Sequence, residues 1–185
     1  TSAGNSISGV ISNGTNVVSF AKSNTGTWTL DGAAANTYTG TTSIAGGTLI
    51  LAKTAAINAI PGSLTIGDGS GNDIVQLTNS NQIADIGLAT FNGTGGNAGI
   101  LRLNNQSETI GGLVSTSGAG IVENGNASAG TSTLTLNVAS GSQSFSGILQ
   151  NNGGSGSGVL ALTKSGNGTQ VLSGANTYSG ATSVG

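Results

Sequence analysis

Thr133-Leu134-Thr135-Leu136-Asn137-Val138 alternates strictly, with Leu134, Leu136 and Val138 on one side and Thr133, Thr135 and Asn137 on the other. Successive side chains of a strand point to opposite faces, so the stretch reads as a half-buried β-strand. The same alternation recurs in Thr48–Leu51, Ser63–Ile66, Ile100–Leu103 and Val159–Leu162. About 16 segments of this kind can be marked along the chain, each with an ordinary strand length. Turn clusters such as Asn92-Gly93-Thr94-Gly95-Gly96-Asn97 separate them, and Gly and Asn are the residues that accept positive φ. The nearest approach to a helix is Ala52–Ile60, and Pro61 stops it. Alternation turns Leu30, Leu49, Leu51, Leu64, Ile66, Leu101, Leu103, Leu134, Leu136, Leu160 and Leu162 inward.

Composition narrows the chemistry. Of 185 residues, 34 are Gly, 25 Ser, 24 Thr and 20 Asn, more than half the chain. There is no Cys, His or Met, which excludes thiolate and imidazole catalysis, disulfides, and metal sites built on those ligands. Four cations and a net charge of −2 speak against phosphate-backbone binding, so no nucleic-acid partner is expected. Such polarity would suit a disordered chain, but 35% hydrophobic residues in short alternating groups provide a core. No apolar run is long enough for a bilayer-spanning helix, so this segment is not expected to insert into a membrane. Thr1–Val10 has neither an initiator Met nor a charged-then-apolar signal pattern, as expected of a processed product or part of a longer chain.

The chain also repeats over a long period. Lys22-Ser23-Asn24-Thr25-Gly26-Thr27-Trp28-Thr29-Leu30-Asp31-Gly32 matches Lys164-Ser165-Gly166-Asn167-Gly168-Thr169-Gln170-Val171-Leu172-Ser173-Gly174. Ala35–Gly40 matches Ala175–Gly180 after an insertion of Ala33-Ala34, and Ser6–Ile11 matches Ser144–Leu149. The offsets are 142, 140 and 138 residues, so 1–138 reads as one unit and 139–185 as the start of the next. A unit this long must hold several solenoid turns. The expected fold is all-β, a right-handed parallel β-helix of roughly six to nine coils. A two-sheet sandwich fits less well, because its thick core usually uses more aromatics than the 3% present.

Gly26–Asp31 with Ala35-Asn36-Thr37-Tyr38-Thr39-Gly40…Gly47-Thr48-Leu49, and again Gly174-Ala175-Asn176-Thr177-Tyr178-Ser179-Gly180…Val184, resemble the autotransporter-associated β-strand repeat, also called the passenger-associated transport repeat. The first copy departs from the pattern at Ala33-Ala34, which should lengthen a turn, and at Trp28, which should enlarge one core position. The resemblance implies a β-helical passenger on bacterial surface or secreted proteins, hence an extracellular or cell-surface location, and no catalytic unit.

Individual groups have readings of their own. Asp68-Gly69-Ser70-Gly71-Asn72-Asp73-Ile74-Val75 nearly matches a calcium nonapeptide, but such motifs work when copies stack, and one copy reads as a turn. Asp85 and Glu108, 23 residues apart and near Arg102, are the best acid/base constellation on offer, with Asp85 reading equally well as a turn residue. Lys22 and Lys164, at matching strand ends, read as solvated charges that discourage edge pairing. Tyr38 and Tyr178 could stack on a sugar, but read better as buried or half-buried rings whose hydroxyls bond a turn. Thr27-Trp28-Thr29, Thr37-Tyr38-Thr39 and Thr133-Leu134-Thr135 are too far apart to form a water-ordering lattice. Asn-x-Ser/Thr triplets at Asn13, Asn92, Asn105, Asn126 and Asn167 are chance products of composition.

The expected role is therefore structural: a stiff stalk or fibre segment with no enzyme activity, and with no catalytic, cofactor-binding or metal residues. The alternative is an adhesin-type module recognising a glycan or surface through its lateral face or loops. Both ends, Thr1–Ile11 and Ser173–Gly185, read as repeat sequence without a polar cap. The expected partners are thus neighbouring β-helix segments of a longer chain, or identical copies stacked end to end.

Overall fold

A computed structural model describes residues 4–94, 96–117, 119–154 and 156–185. Thr1–Ala3 of the N-terminal edge and Gly95 of the turn quoted above lie outside the described residues. Among the described residues there are strands and no helix: β1 (Asn5–Ile7), β2 (Phe20–Ser23), β3 (Thr27–Gly32), β4 (Thr42–Ala45), β5 (Gly47–Lys53), β6 (Leu64–Ile66), β7 (Asp73–Leu77), β8 (Leu88–Phe91), β9 (Gly99–Arg102), β10 (Glu108–Ile110), β11 (Gly112–Ser115), β12 (Gly120–Glu123), β13 (Gly130–Asn137), β14 (Ser142–Phe145), β15 (Ile148–Gln150), β16 (Gly158–Ser165), β17 (Thr169–Leu172) and β18 (Thr182–Val184).

All the pairings between these strands are parallel. One face is a seven-stranded sheet, β1-β3-β5-β7-β9-β12-β15, which takes one strand from each coil of a solenoid of about 7 turns. A second face holds the five-stranded sheet β2-β4-β6-β8-β11, and β14-β17 form a separate two-stranded sheet beside it. The third face is bridged backbone to backbone in the early coils, for example Ile60 to Ile83, and becomes the sheet β10-β13-β16-β18 from coil five onward.

The interior is a set of stacked aliphatic columns. Leu49, Val75, Leu101, Val122 and Leu149 are register neighbours in five successive coils, and all are fully buried. All eleven Leu and Ile positions expected inside are at most 5% exposed. Such a column removes apolar area from water at about 25 cal/mol per Å² without needing large side chains. The coils approach so closely that some corners admit only glycine. Gly47 has φ +66, and a Cβ there would lie 2.5 Å from the Thr25 carbonyl of the coil below.

The long period survives as local geometry. Ile11 N–H donates to Asn36 Oδ1 at 2.9 Å, and Leu149 N–H donates to Asn176 Oδ1 at 2.9 Å. Asn13 Nδ2 donates to Thr39 Oγ1 at 2.7 Å, as Asn151 Nδ2 does to Ser179 Oγ at 2.8 Å. Lys22 faces Ile44 in the ladder as Lys164 faces Val184. Ala33-Ala34 are exposed at a bend, outside these bonds. The copies nevertheless occupy different faces: β3 lies in the seven-stranded sheet and its counterpart β17 in the two-stranded one, β4 in the five-stranded sheet and its counterpart β18 in the four-stranded one. The repeat therefore advances five coils and two further faces, one face short of a whole number of coils.

Candidate functional surfaces

In each of the two carboxylate constellations one acid is buried and the other exposed. Asp73 points inward and is 1% exposed, while Asp68 is exposed on the turn. Asp68 N–H donates to Asp73 Oδ2 at 3.2 Å, and Ser70 N–H donates to Asp68 Oδ1 at 2.8 Å, the bonding of a turn. Burial pushes the Asp73 carboxyl up, the Asp68 N–H pulls it down, and the charges of Asp68 and Lys22 act in opposite directions. Among the described residues no group of three or more acids forms a metal-ligand cluster.

Asp85 is exposed, whereas Glu108 is 1% exposed and accepts backbone N–H groups from Gln82 (2.8 Å), Ile83 (3.4 Å) and Thr109 (3.2 Å). Arg102 joins neither; its Nε donates to Glu123 Oε1 at 2.8 Å. The Glu108 carboxylate thus takes the place of peptide carbonyls where the third face lacks a strand in coil four. Burial pushes its pKa up to about 8 against the pull of the three N–H groups, with the charge of Asp85 adding to the rise.

The lysines depart from the sequence expectation. Lys22 is 4% exposed rather than solvated, and its ammonium donates to the carbonyls of Asn24 (2.8 Å) and Gly46 (2.5 Å). Asn24 turns the chain at φ 67, and the Lys22 ammonium satisfies carbonyls at this turn. Lys53, fully buried, donates to Asp31 C=O at 2.9 Å. Desolvation lowers the pKa of both lysines, with Asp73 and Asp31 respectively opposing it. Lys164 repeats the arrangement, donating to Ser165 and Gly166 carbonyls at 2.5 and 2.9 Å. Tyr38 is 2% exposed with its hydroxyl 2.8 Å from Thr42 Oγ1, so its ring offers no stacking platform; Tyr178 keeps the same 2.8 Å contact with Thr182 and is half-buried. Asn13, Asn92, Asn105 and Asn126, four of the five triplet asparagines, are tied into inter-coil bonds.

The outer face of the seven-stranded sheet carries two stripes that alternation does not reveal. Ile74, Ile100, Ile121 and Ile148 are register neighbours, and Ile100 is only 7% exposed because isoleucines flank it on both sides. Beside them, Gln76, Arg102, Glu123 and Gln150 form a polar stripe. Glu123 Oε2 accepts from Gln150 Nε2 at 2.9 Å and Gly153 N–H at 3.0 Å while Oε1 accepts from Arg102 Nε at 2.8 Å, so both oxygens are hydrogen-bonded at 3% exposure. A groove of about 580 Å³ runs between Ile121, Ile148 and the loop residues Gly93, Ala98 and Ala119. Another, of about 570 Å³, is lined by Thr39, Thr41, Thr65, Thr90 and Pro61. On the third face Thr109, Thr135, Thr163 and Ser183 fall on consecutive coils, and of these only Thr135 belongs to one of the Thr triplets. Thr133, however, faces Ala161, so the second column of a hydroxyl lattice is broken.

Parallel coils with stacked aliphatic columns, amide-tied corners and buried lysine caps define a parallel β-solenoid. Residues 20–51 and 162–185 match the family model of the passenger-associated-transport-repeat. Both matches begin at equivalent points of the long period, Phe20 and Leu162. A solenoid bearing this repeat fits a segment of an autotransporter passenger, the secreted or surface-exposed part of such proteins. No curated protein and no solved structure matches the chain.

Proposed function

We propose that this segment is a stiff, non-catalytic structural stretch of an extracellular passenger, stacked on neighbouring coils of the same chain or on identical copies. The observation that carries this reading is the unbroken seven-stranded ladder, in which every coil is hydrogen-bonded to the next. A parallel ladder pulled along the solenoid axis loads its inter-coil bonds together, which is the geometry of stiffness. Two of the four cleavage points for trypsin-type proteases, Lys22 and Lys53, are buried, which suits an exposed extracellular life. Tyr38 is inside, and Glu123 is paired with Arg102.

The adhesin reading would draw on the Thr-lined groove, whose hydroxyls suit a neutral sugar. Two measurements separate the readings. Stretching single molecules along the axis should give coil-by-coil extension at high force, and a glycan array should show no retention. Selective glycan retention, lost when Thr65 and Thr90 are changed to Val, would replace the scaffold reading by the adhesin one.

A further inference from the structure

Coils five and six meet on three faces, and the faces are not alike. On the seven-stranded sheet β9 pairs with β12, and on the third face β10 pairs with β13. On the second face β11 and β14 lie side by side without forming a ladder, because one sheet ends at β11 and another begins at β14. We propose that the solenoid is jointed here, and that the side chain of Gln170 is the clasp that keeps the joint shut.

Gln170 belongs to β17, one coil further on, where its register partner in β14 is Gln143. Its Oε1 accepts the Leu113 N–H at 2.9 Å and its Nε2 donates to the Leu113 C=O at 2.9 Å. An amide side chain thereby makes both bonds that a neighbouring strand would make to that residue. Nε2 also lies 3.4 Å from the Gln143 carbonyl, so the clasp touches both sides of the joint. Gly112 leaves room for it: at φ +146, a Cβ there would come to 3.0 Å from Gln143 Cγ and 3.2 Å from Gln170 Oε1. Inside, the rings of Phe91 and Phe145, with centroids 5.1 Å apart, span the same joint.

The clasp is particular to this place. The equivalent residue in the first copy is Trp28, which has no amide to offer, and Trp28 stands in a continuous ladder between Asn5 and Leu49. The joint also coincides with the point where the long period starts over, since β14 is the counterpart of β1. A face closed by side chains, the Gln170 amide and the Ser115 hydroxyl that accepts the Ser146 N–H at 3.0 Å, rather than by a ladder should open locally at a lower free energy than the paired faces. This property is independent of whether the segment serves as a stalk or as an adhesin.

Amide hydrogen exchange of the 185-residue chain under native conditions tests the proposal, with Gln170→Ala and Gln143→Ala alongside the wild type. In the wild type the Leu113 amide should exchange through an opening that leaves the amides of β9 and β12 protected. Gln170→Ala should speed Leu113 exchange about tenfold or more, the loss of a paired hydrogen bond, without altering β9 and β12. Gln143→Ala, which removes no bond to Leu113, should change it far less. Equal protection of Leu113 and β12 in the wild type, or no change on Gln170→Ala, would overturn the joint. The wild-type comparison decides the matter even where Gln170→Ala does not fold.

Discussion

The carboxylate of Glu108 accepts the backbone N–H of Gln82 at 2.8 Å, across one coil step, where a peptide carbonyl would stand if the third face carried a strand in coil four. This side chain is an ionisable link between coils, and it makes stability depend on pH. Its folded pKa of about 8 lies above the unfolded value of 4.5, so the folded state holds the proton more tightly. Its stabilising contribution is complete below pH 4.5 and is lost as pH rises towards 8. Denaturant midpoints should therefore fall across this window. Glu108→Gln, which keeps an acceptor for the amide and cannot ionise, should flatten the fall. An unchanged slope in the variant would show that other groups, with Asp73 the first to examine, set the pH dependence.

Lys22→Met keeps the stem and removes the ammonium, leaving the Asn24 and Gly46 carbonyls without their donor. A loss of about 1–3 kcal/mol is expected from urea unfolding, the cost of losing hydrogen bonds from a charged donor. Lys164→Met should cost less, because the strand-end residue is only half-buried.

Tyr38→Phe and Tyr178→Phe remove the same bond from two copies of one motif. The buried copy should lose about 1 kcal/mol. The half-buried one should lose little, since water can take over from the missing hydroxyl. Equal losses would mean that the two environments are more alike than their burial indicates.

Gly47→Ala should destabilise severely, by about 3 kcal/mol or more, because it combines a left-handed φ with a collision against the Thr25 backbone. Gly14, with open space around it, is the control: Gly14→Ala should shift the melting temperature little.

Much of this architecture was legible residue by residue. Period-two alternation put Leu134 and Leu136 inside because a strand offers two faces, and a slip of one residue would expose both. Gly and Asn clusters marked corners because few other residues accept φ near +60°, as Asn24 and Gly166 do at equivalent places. The match of Ala35–Gly40 with Ala175–Gly180 announced a shared local geometry, and the Asn36 and Asn176 bonds are its content.

What the linear order did not disclose is anything that depends on which coil lies above which. Lys22 and Lys53 look like surface charges in sequence; they are buried because carbonyls of Gly46 and Asp31, 24 and 22 residues away, converge on them. Arg102 chooses Glu123 over Glu108 because β12, and not β10, is stacked beside β9. Ile100 is covered although alternation turns it outward, because Ile74 and Ile121 stand beside it in the ladder. Local propensity and alternation belong to a residue and its chain neighbours, so the sequence by itself determined strands, corners and the inward set. The stacking phase is the sum of every coil's length, and a few residues more or less in each corner move a whole repeat to another face. Only the tertiary structure decided that β17 would not lie above β3, and with it which side chains meet at the joint between β11 and β14.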